Sequence, residues 1–575
     1  MVSVLQYTVM RTRPFPLGFH IVLLLAFVAA MVGVWLLPVL LAGAPYDIPP
    51  LLAVRNYVAT GLFTITDALG RFLAPPAIGT LGVPVAMGNR LSVFLFSVLG
   101  SGLPFTDLVG WTALTAVVMA AALIPWWFAV YRLFGTRVAW VATVLLALMP
   151  IYWREALWLN HYQFAFLFLF ASFAAFVWLR ERHHLLALAV AGALFGLAAG
   201  AKDAFLVFTL WFVLEYVWLF RRNLTKAARG ILVFGVCAGF LYLLPYIGDI
   251  QRYGYPVNQN LAILWPGAKE VQEDFYLHLY PDPYTYFFDR DRFDAELLAR
   301  VPTMSTLERL QMQKILINFD VGAPGFFTQI GNGFWLFLGS LSSYFLQDTL
   351  GGIVLWLFIL AGIVVLRRRN AFLAGALVGL LLVSEFIIRF VLHFSREHFM
   401  DVGWVLALLA AIGIVDIADT LAPALKRLSG TALTVLITVV LALQLLQANR
   451  VKLAREYSRT IVADTVAAAE EIAKVIPEAI VAMPLPPMRL EQIGQMSGRS
   501  VVLFDPTTIE RLLQEKKLPE AFEKYGVTHI ARFESDLSTQ MKRAVPSLTV
   551  IPDRDVPPSA PTVTPFLRFI LHHIR

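Results

Sequence analysis

Apolar residues fall in long, almost uncharged runs over the first 450 residues of the chain, and short polar breaks separate these runs. A helix that crosses a bilayer needs roughly 20 consecutive apolar residues. About eleven runs approach that length, near residues 20–42, 108–131, 137–152, 158–179, 185–200, 204–220, 230–247, 350–366, 371–391, 402–421 and 431–448. The pattern predicts an all-α polytopic membrane protein.

Basic residues cluster at the ends of the apolar runs, in the breaks near residues 132–137, 180–184, 221–229, 367–370 and 426–427. If the N-terminus is cytoplasmic, all five breaks fall on the cytoplasmic side, where short loops carry an excess of Lys and Arg. We therefore predict a multi-pass protein of the plasma (inner) membrane with a cytoplasmic N-terminus. The longer loops, 43–107 and 248–349, then lie outside.

The pattern changes after about residue 450. Short apolar strands at 479–483, 500–504 and 527–532 alternate with helical stretches at 488–496 and 510–525. Strands that alternate with helices indicate an α/β domain with a mostly parallel sheet. We predict a membrane part over 1–449 and a C-terminal extracytoplasmic α/β domain over 450–575.

Composition supports the membrane class and excludes others. Of the 575 residues, 58% are hydrophobic and 15% are charged, whereas soluble domains carry about 25% charged residues. The net charge of +7 comes from the clusters at span ends, so no nucleic-acid partner is expected. The single cysteine, Cys237, excludes a disulfide within the chain, and no Cys/His spacing indicates a zinc site.

Two acidic residues lie at predicted outer ends of spans. Asp47 directly follows the first span and precedes Pro49-Pro50 and Arg55; it can serve as a base or simply cap an interfacial helix. Glu155 lies at the predicted outer turn 153–157 beside Arg154, where a surface ion pair is the alternative interpretation.

Cations at the same predicted surface are candidates for binding a phosphate. Lys202 and Asp203 lie at the end of the fifth run, although a lysine that extends its ammonium from a helix end to the membrane surface explains Lys202 equally well. Arg396 and His398 follow the ninth run, and Arg90 lies in the first outer loop.

Short motifs around these positions resemble the C-type (GT-C) membrane glycosyltransferases, notably the protein mannosyltransferases and the lipid A aminoarabinose transferase. The chain shows Asp47 followed by Ala53-Val-Arg-Asn-Tyr57, then Gly196-Leu-Ala-Ala-Gly-Ala-Lys202, the segment 395–404 before an alanine- and leucine-rich span, and Phe522-Glu-Lys-Tyr-Gly-Val-Thr-His-Ile530. Ile48 stands where many relatives have a second acid, so no motif supports a divalent metal, and no other cofactor is implied.

The resemblance implies transfer of a sugar, with inversion, from a polyprenyl-phosphate donor to an extracytoplasmic glycan, lipid or protein. Asp47 would be the general base and Glu155 the second acid. The other roles that it implies are donor phosphate binding by Lys202, Arg396, Arg90 and Arg55, and acceptor or sugar contacts by His398, Asp203 and Tyr57.

Two other functions fit the sequence. A transporter or lipid flippase would use polar groups within the spans, such as Glu385, Arg389 and Glu215, but the chain shows no internal repeat. Alternatively, the spans would form a platform and the outer domain would carry the function in an envelope complex.

Overall fold

The computed structural model describes residues 17–42, 49–61, 63, 90–105, 107–181, 183–253, 353–384, 386, 400–425, 428–456, 459–485 and 487–552, with single residues or short pieces between 289 and 338. Helices dominate the part before residue 473. In chain order they are α1 (Leu17–Ala42), α2 (Pro49–Thr60), α3 (Arg90–Leu99), α4 (Leu108–Phe134), α5 (Thr136–Leu148), α6 (Pro150–Leu157), α7 (Tyr162–Leu179), α8 (His184–Ala201), α9 (Thr209–Leu219), α10 (Leu224–Leu243), α11 (Ile247–Tyr253), α12 (Ile353–Arg369), α13 (Ala371–Ser384), α14 (Met400–Leu425), α15 (Gly430–Glu456) and α16 (Arg459–Ile472). The 3₁₀ helices Asp203–Phe208 and Leu244–Tyr246 precede α9 and follow α10.

The prediction of a polytopic helical membrane protein is confirmed. Within the described ranges, seven helices are long and apolar enough to cross a bilayer, and the bent pair α5–α6 makes an eighth. Each of the eleven predicted runs coincides with a helix over most of its length. However, α9, α12 and α13 have only 11, 17 and 14 residues.

The region between α5 and α7 differs from the prediction, which placed a span over 137–152 and an outer turn over 153–157. Met149 is extended with ψ 130°, and α6 begins at Pro150, 61° away from the direction of α5. Proline disfavours a helical residue before it and is well suited to the first helical position. The predicted turn at 153–157 is therefore helix α6, and the actual break before α7 lies at 158–161.

The bend leaves carbonyls that no longer receive the next helical N–H, and apolar surroundings make such groups costly. Other helices satisfy them. The Trp35 indole of α1 donates to Ala147 O (3.1 Å), and the Asn449 amide of α15 donates to Leu148 O (2.8 Å). The bend is therefore stabilised from two sides by tertiary contacts.

Glycines allow the closest helix pairs to pack backbone against backbone, as is common in membranes. A Cβ atom added to Gly362 of α12 would lie 1.8 Å from the carbonyl oxygen of Leu409 in α14, and one added to Gly413 of α14 would lie 2.1 Å from Phe358 O. In the α8–α10 pair, a Cβ at Gly196 would lie 2.3 Å from Ala238 O.

Ion pairs connect residues at the ends of different basic loops. Arg137 in the first turn of α5 makes two bonds to Asp419 near the end of α14 (2.6 and 2.8 Å), and Arg369 at the end of α12 binds Asp416 (2.8 Å). Arg132 binds Glu181 after α7 (2.5 Å). These contacts bring the basic breaks near residues 132–137, 180–184 and 367–370 to one end of the helical body. Asp401, at the start of α14, lies at the other end.

The C-terminal region forms the predicted α/β unit with a parallel sheet. Its elements are β1 (Ile480–Met483), α17 (Pro487–Ser497), β2 (Ser500–Leu503), α18 (Pro506–Gln514), α19 (Leu518–Tyr525), β3 (His529–Ala531), α20 (Ser535–Ala544) and β4 (Thr549–Ile551). The strand order is β2-β1-β3-β4, and all pairs are parallel. The sequence pattern did not reveal β4, which has only three residues.

Candidate functional site

Glu155 lies within α6 and is buried, not exposed at a loop tip as the sequence predicted. Burial of a carboxylate is unfavourable unless it has partners. The Asn160 amide donates to one carboxylate oxygen (2.5 Å), and Arg154 Nε lies 3.9 Å from the other. The Arg154 guanidinium in turn lies over the Trp158 ring at 4.0 Å.

The break between α6 and α7 is held by its own side chains. Gln163, in the first turn of α7, donates from Nε2 to the carbonyl oxygens of Glu155 (2.6 Å) and Trp158 (2.5 Å). Asn160 Oδ1 accepts from the backbone N–H of Tyr162 (2.7 Å). The Asn160 side chain thus holds both Glu155 and the start of α7, which orients the carboxylate.

Lys202 directly follows α8 and is buried, with an extended backbone. Its Nζ lies 3.1 Å from His161 Nε2 and 4.0 Å from the centre of the Tyr162 ring. The same atom lies 3.9 Å from Oδ1 of Asp401. The Lys202 ammonium is therefore surrounded by the 158–161 break, the start of α7 and the start of α14.

The two groups form one polar site at the end of the helical body opposite the basic loops, because Asn160 contacts Glu155 and the next residue, His161, contacts Lys202. Sequence reasoning selected Glu155 and Lys202 but not Asn160, His161 or Asp401. The Asn160-His161 pair near the start of the apolar run over 158–179 was the available signal. Asp401 was counted with an outer segment, although it directly precedes an apolar run.

Arg90 and Tyr57 share an aromatic partner beside this site. Arg90 begins α3 and is buried; its guanidinium lies 4.9 Å from the ring centre of Phe63 and 5.9 Å from that of Tyr246. Tyr57 of α2 stacks on Phe63 at 4.4 Å. Asp203 follows Lys202 and accepts a hydrogen bond from the backbone N–H of Ala204 (2.9 Å). Since α3 packs against α8, Arg90 belongs to the same region of the molecule as Lys202.

Arg55 lies at a different contact, between α2 and the C-terminal α/β unit. Its guanidinium donates to the carbonyl oxygen of Gly494 in α17 at 3.5 Å. Burial lowers the pKa of Arg55 to about 10, so the side chain remains a cation at neutral pH. Arg292, in the long segment between α11 and α12, binds Glu515, at the end of α18, at 2.8 Å. Residues of both long loops, 43–107 and 248–349, thus contact the α/β unit.

Three of the predicted site residues, Asp47, Arg396 and His398, lie outside the described residues. No three His, Cys, Asp or Glu side chains among the residues that the structure describes come together in a way that would hold a metal ion. The described part of the site therefore offers a buried ammonium, a second buried cation at Arg90 and two buried carboxylates. Such a set can bind an anion and orient a polar group close to it.

The chain has the fold of an archaeal oligosaccharyltransferase, so the fold that the resemblance to membrane glycosyltransferases implied is confirmed. The chain is similar to the oligosaccharyltransferase of Archaeoglobus fulgidus tethered to an acceptor peptide, with 14% identity, a TM-score of 0.54, and coverage of 88% of this chain and 68% of that chain. The archaeal oligosaccharyltransferase AglB of the same organism, in complex with an inhibitory peptide and dolichol-phosphate, matches with 14% identity, a TM-score of 0.51, and coverage of 89% and 69%.

ArnT from Cupriavidus metallidurans bound to undecaprenyl phosphate covers 93% of this chain and 90% of its own length at 12% identity, with a TM-score of 0.41. No known protein family and no curated protein sequence matches the chain.

Proposed function

We propose that this protein is an integral membrane glycosyltransferase that moves a sugar from a polyprenyl-phosphate donor to an acceptor on the outer side of the membrane. The observation that carries the proposal is the buried Lys202 ammonium, with Glu155 and Arg90 in the same region, at the end of the helical body opposite the basic loops. A lipid-linked phosphate has to reach its enzyme at the bilayer boundary, where this end of the spans lies. The similarity to AglB, which has been seen with dolichol-phosphate and with peptides, supports this donor class.

In the proposed reaction, an acceptor hydroxyl attacks the anomeric carbon and displaces the polyprenyl phosphate in one step, which inverts that carbon. Asp47 takes the proton of the hydroxyl. Negative charge grows on the leaving phosphate, and pre-positioned cations lower the barrier by stabilising it. Lys202, Arg90 and Arg396 supply this charge, while Glu155 orients the acceptor.

The remaining predicted residues have supporting roles in the proposal. Tyr57, Asp203 and His398 contact the sugar or the acceptor. Arg55 of α2 adds positive charge for the donor phosphate. The acceptor is a glycan, a lipid or a protein. The protein resides in the plasma membrane with its N-terminus in the cytoplasm and its α/β unit outside.

A transfer assay with membranes and labelled polyprenyl-phosphate sugars tests the proposal. Asp47→Asn removes the base and should lower the rate by about 10²- to 10⁴-fold. Lys202→Met should lower it by about 10²- to 10³-fold. Arg137→Gln is the matched control, because it removes a cation of the basic loops that pairs with Asp419 and should leave the rate unchanged.

Transfer at the wild-type rate by both Asp47→Asn and Lys202→Met would contradict the assignment. Movement of the lipid across the membrane without formation of a glycosidic bond would identify a flippase instead.

The orientation of the protein in the membrane is tested separately in a Cys237→Ser background, since Cys237 is the only cysteine of the chain. A new cysteine at Glu181 should react only from the cytoplasm, and one at Ser535 only from outside.

A further inference from the structure

Asp401 is a buried carboxylate for which the proposed reaction has no role so far. It lies in the first turn of α14, its side chain is 1% exposed, and its nearest described cation is Lys202. The interaction joins three elements that are distant in the sequence, because His161 and Tyr162 at the start of α7 contact the same ammonium. The contact between Lys202 and Asp401 therefore depends on the tertiary fold.

His161 and Asp401 interact with Lys202 in different ways, because they lie at different distances from Nζ. At 3.1 Å from Nζ, His161 Nε2 is within hydrogen-bonding distance. Since an ammonium can only donate, Nε2 accepts and the His161 proton resides on Nδ1. At 3.9 Å, Oδ1 of Asp401 is too distant for a hydrogen bond but close enough for an ion pair. Asp401 thus supplies a counter-charge without taking a hydrogen from the ammonium.

The position of Asp401 is rigid. The Trp404 indole, one turn further along α14, donates to Asp401 O at 2.9 Å. The Trp404 ring packs against Phe173, Phe208 and Trp126 with centre-to-centre distances of 5.1, 5.7 and 5.9 Å. A carboxylate in the first turn of a helix is also favoured by the helix dipole. The place of Asp401 is therefore set before a ligand binds.

We propose that Asp401 is a positioning residue for the donor: its carboxylate holds the buried Lys202 ammonium, which His161 orients, ready to donate hydrogen bonds to the phosphate. This inference rests on the proposed function. Loss of one partner of a buried ion pair leaves the other charge uncompensated. Without Asp401, Lys202 loses this counter-charge, and the phosphate site is less well formed in advance.

Binding of undecaprenyl phosphate to the purified full-length protein, measured together with donor KM and kcat, tests this role. Asp401→Asn keeps the size of the side chain and removes its charge; it should raise the Kd and the donor KM about tenfold or more, with a smaller effect on kcat. Asp401→Glu restores the charge and should recover most of the affinity. In a Lys202→Met background, Asp401→Asn should change the Kd no further, because Asp401 acts through Lys202.

Glu215→Gln is the matched control. Glu215 forms a buried ion pair with Arg180, each side chain being 10% exposed, near the basic end of the body. This variant should lower thermal stability as Asp401→Asn does, yet leave the Kd within about twofold of wild type. If Asp401→Asn does not fold, the double variant with Lys202→Met has no uncompensated charge, and its Kd is compared with that of Lys202→Met alone.

An unchanged Kd in Asp401→Asn, or an equal rise in Glu215→Gln, overturns the positioning role. So does a further loss of affinity when Asp401→Asn is added to Lys202→Met. Failure of the proposed function gives a different result, since a wild-type protein that binds undecaprenyl phosphate but transfers no sugar refutes the transferase and leaves the binding comparison intact.

Discussion

The contact between α12 and α14 allows a prediction that links helix packing to the site. A Cβ atom at Gly362 would lie 1.8 Å from Leu409 O, and protein Cβ atoms essentially never come within 3.0 Å of a neighbouring heavy atom. The two helices must therefore separate by about 1.2 Å to admit an alanine. A backbone carbonyl cannot rotate away as a flexible side chain can, so the strain falls on the whole pair.

The magnitude follows from two opposing effects. Overpacking of a close contact costs about 1–3 kcal/mol, and a clash with backbone belongs at the upper end. Alanine is favoured over glycine within a helix by about 1 kcal/mol. We therefore expect Gly362→Ala to destabilise the protein by about 2 kcal/mol. Leu409 lies two turns from Asp401 on α14, so the shift should also separate Asp401 from Lys202 and raise the donor KM.

Gly375→Ala is the control for this change. Gly375 lies within α13, and a Cβ there meets nothing within 4 Å. The same substitution should therefore stabilise the protein slightly through helix propensity. Tryptophan fluorescence of the purified protein during heating measures both effects. A melting temperature that rises in Gly362→Ala as it does in Gly375→Ala would refute the reasoning from the backbone contact.

Two further predictions concern the C-terminal α/β unit. Arg55→Met removes the hydrogen bond to Gly494 O and should weaken the contact between α2 and α17 by about 1 kcal/mol. Hydrogen exchange should then become faster in both helices. Unchanged exchange would show that this bond does not hold the two helices together. Burial lowers the pKa of His529 in β3. As the pH decreases, His529 is therefore protonated in the unfolded chain before it is protonated in the folded protein. The free energy of unfolding should fall as the pH decreases below about 6.5. His529→Gln should reduce this acid-dependent loss in urea unfolding, and an unchanged pH profile would contradict it.

Lys202 and Glu155 were found from the sequence because charged residues at the ends of apolar runs are conspicuous. The residues that surround these two side chains were not found from the sequence. Glu155 was placed on an exposed turn, since the apolar run over 137–152 looked continuous. Pro150 marks the break, but a proline within an apolar run only indicates a bend, whose 61° angle depends on the contacts of Trp35 and Asn449.

Asp401 and His161 were missed for a related reason. They come within 3.9 and 3.1 Å of the Lys202 ammonium only when α7, α8 and α14 pack together. A single sequence contains no information about which distant residues touch. Asp401 also precedes its apolar run by a single residue, so it resembled a loop residue, whereas the structure places it in the first turn of a buried helix.

Local patterns in the sequence were enough to predict that polar residues and charges divide between the two ends of a helical membrane body, and that a parallel α/β unit follows. Hydrophobic length, the placement of Lys and Arg, and strand–helix alternation are local signals, so they can be read along the chain. The contacts of Lys202 with Asp401 and His161, and of Arg55 with α17, became visible only in the folded structure. Those pairings depend on close approach of distant helices, which glycines such as Gly362 permit and which no local pattern encodes.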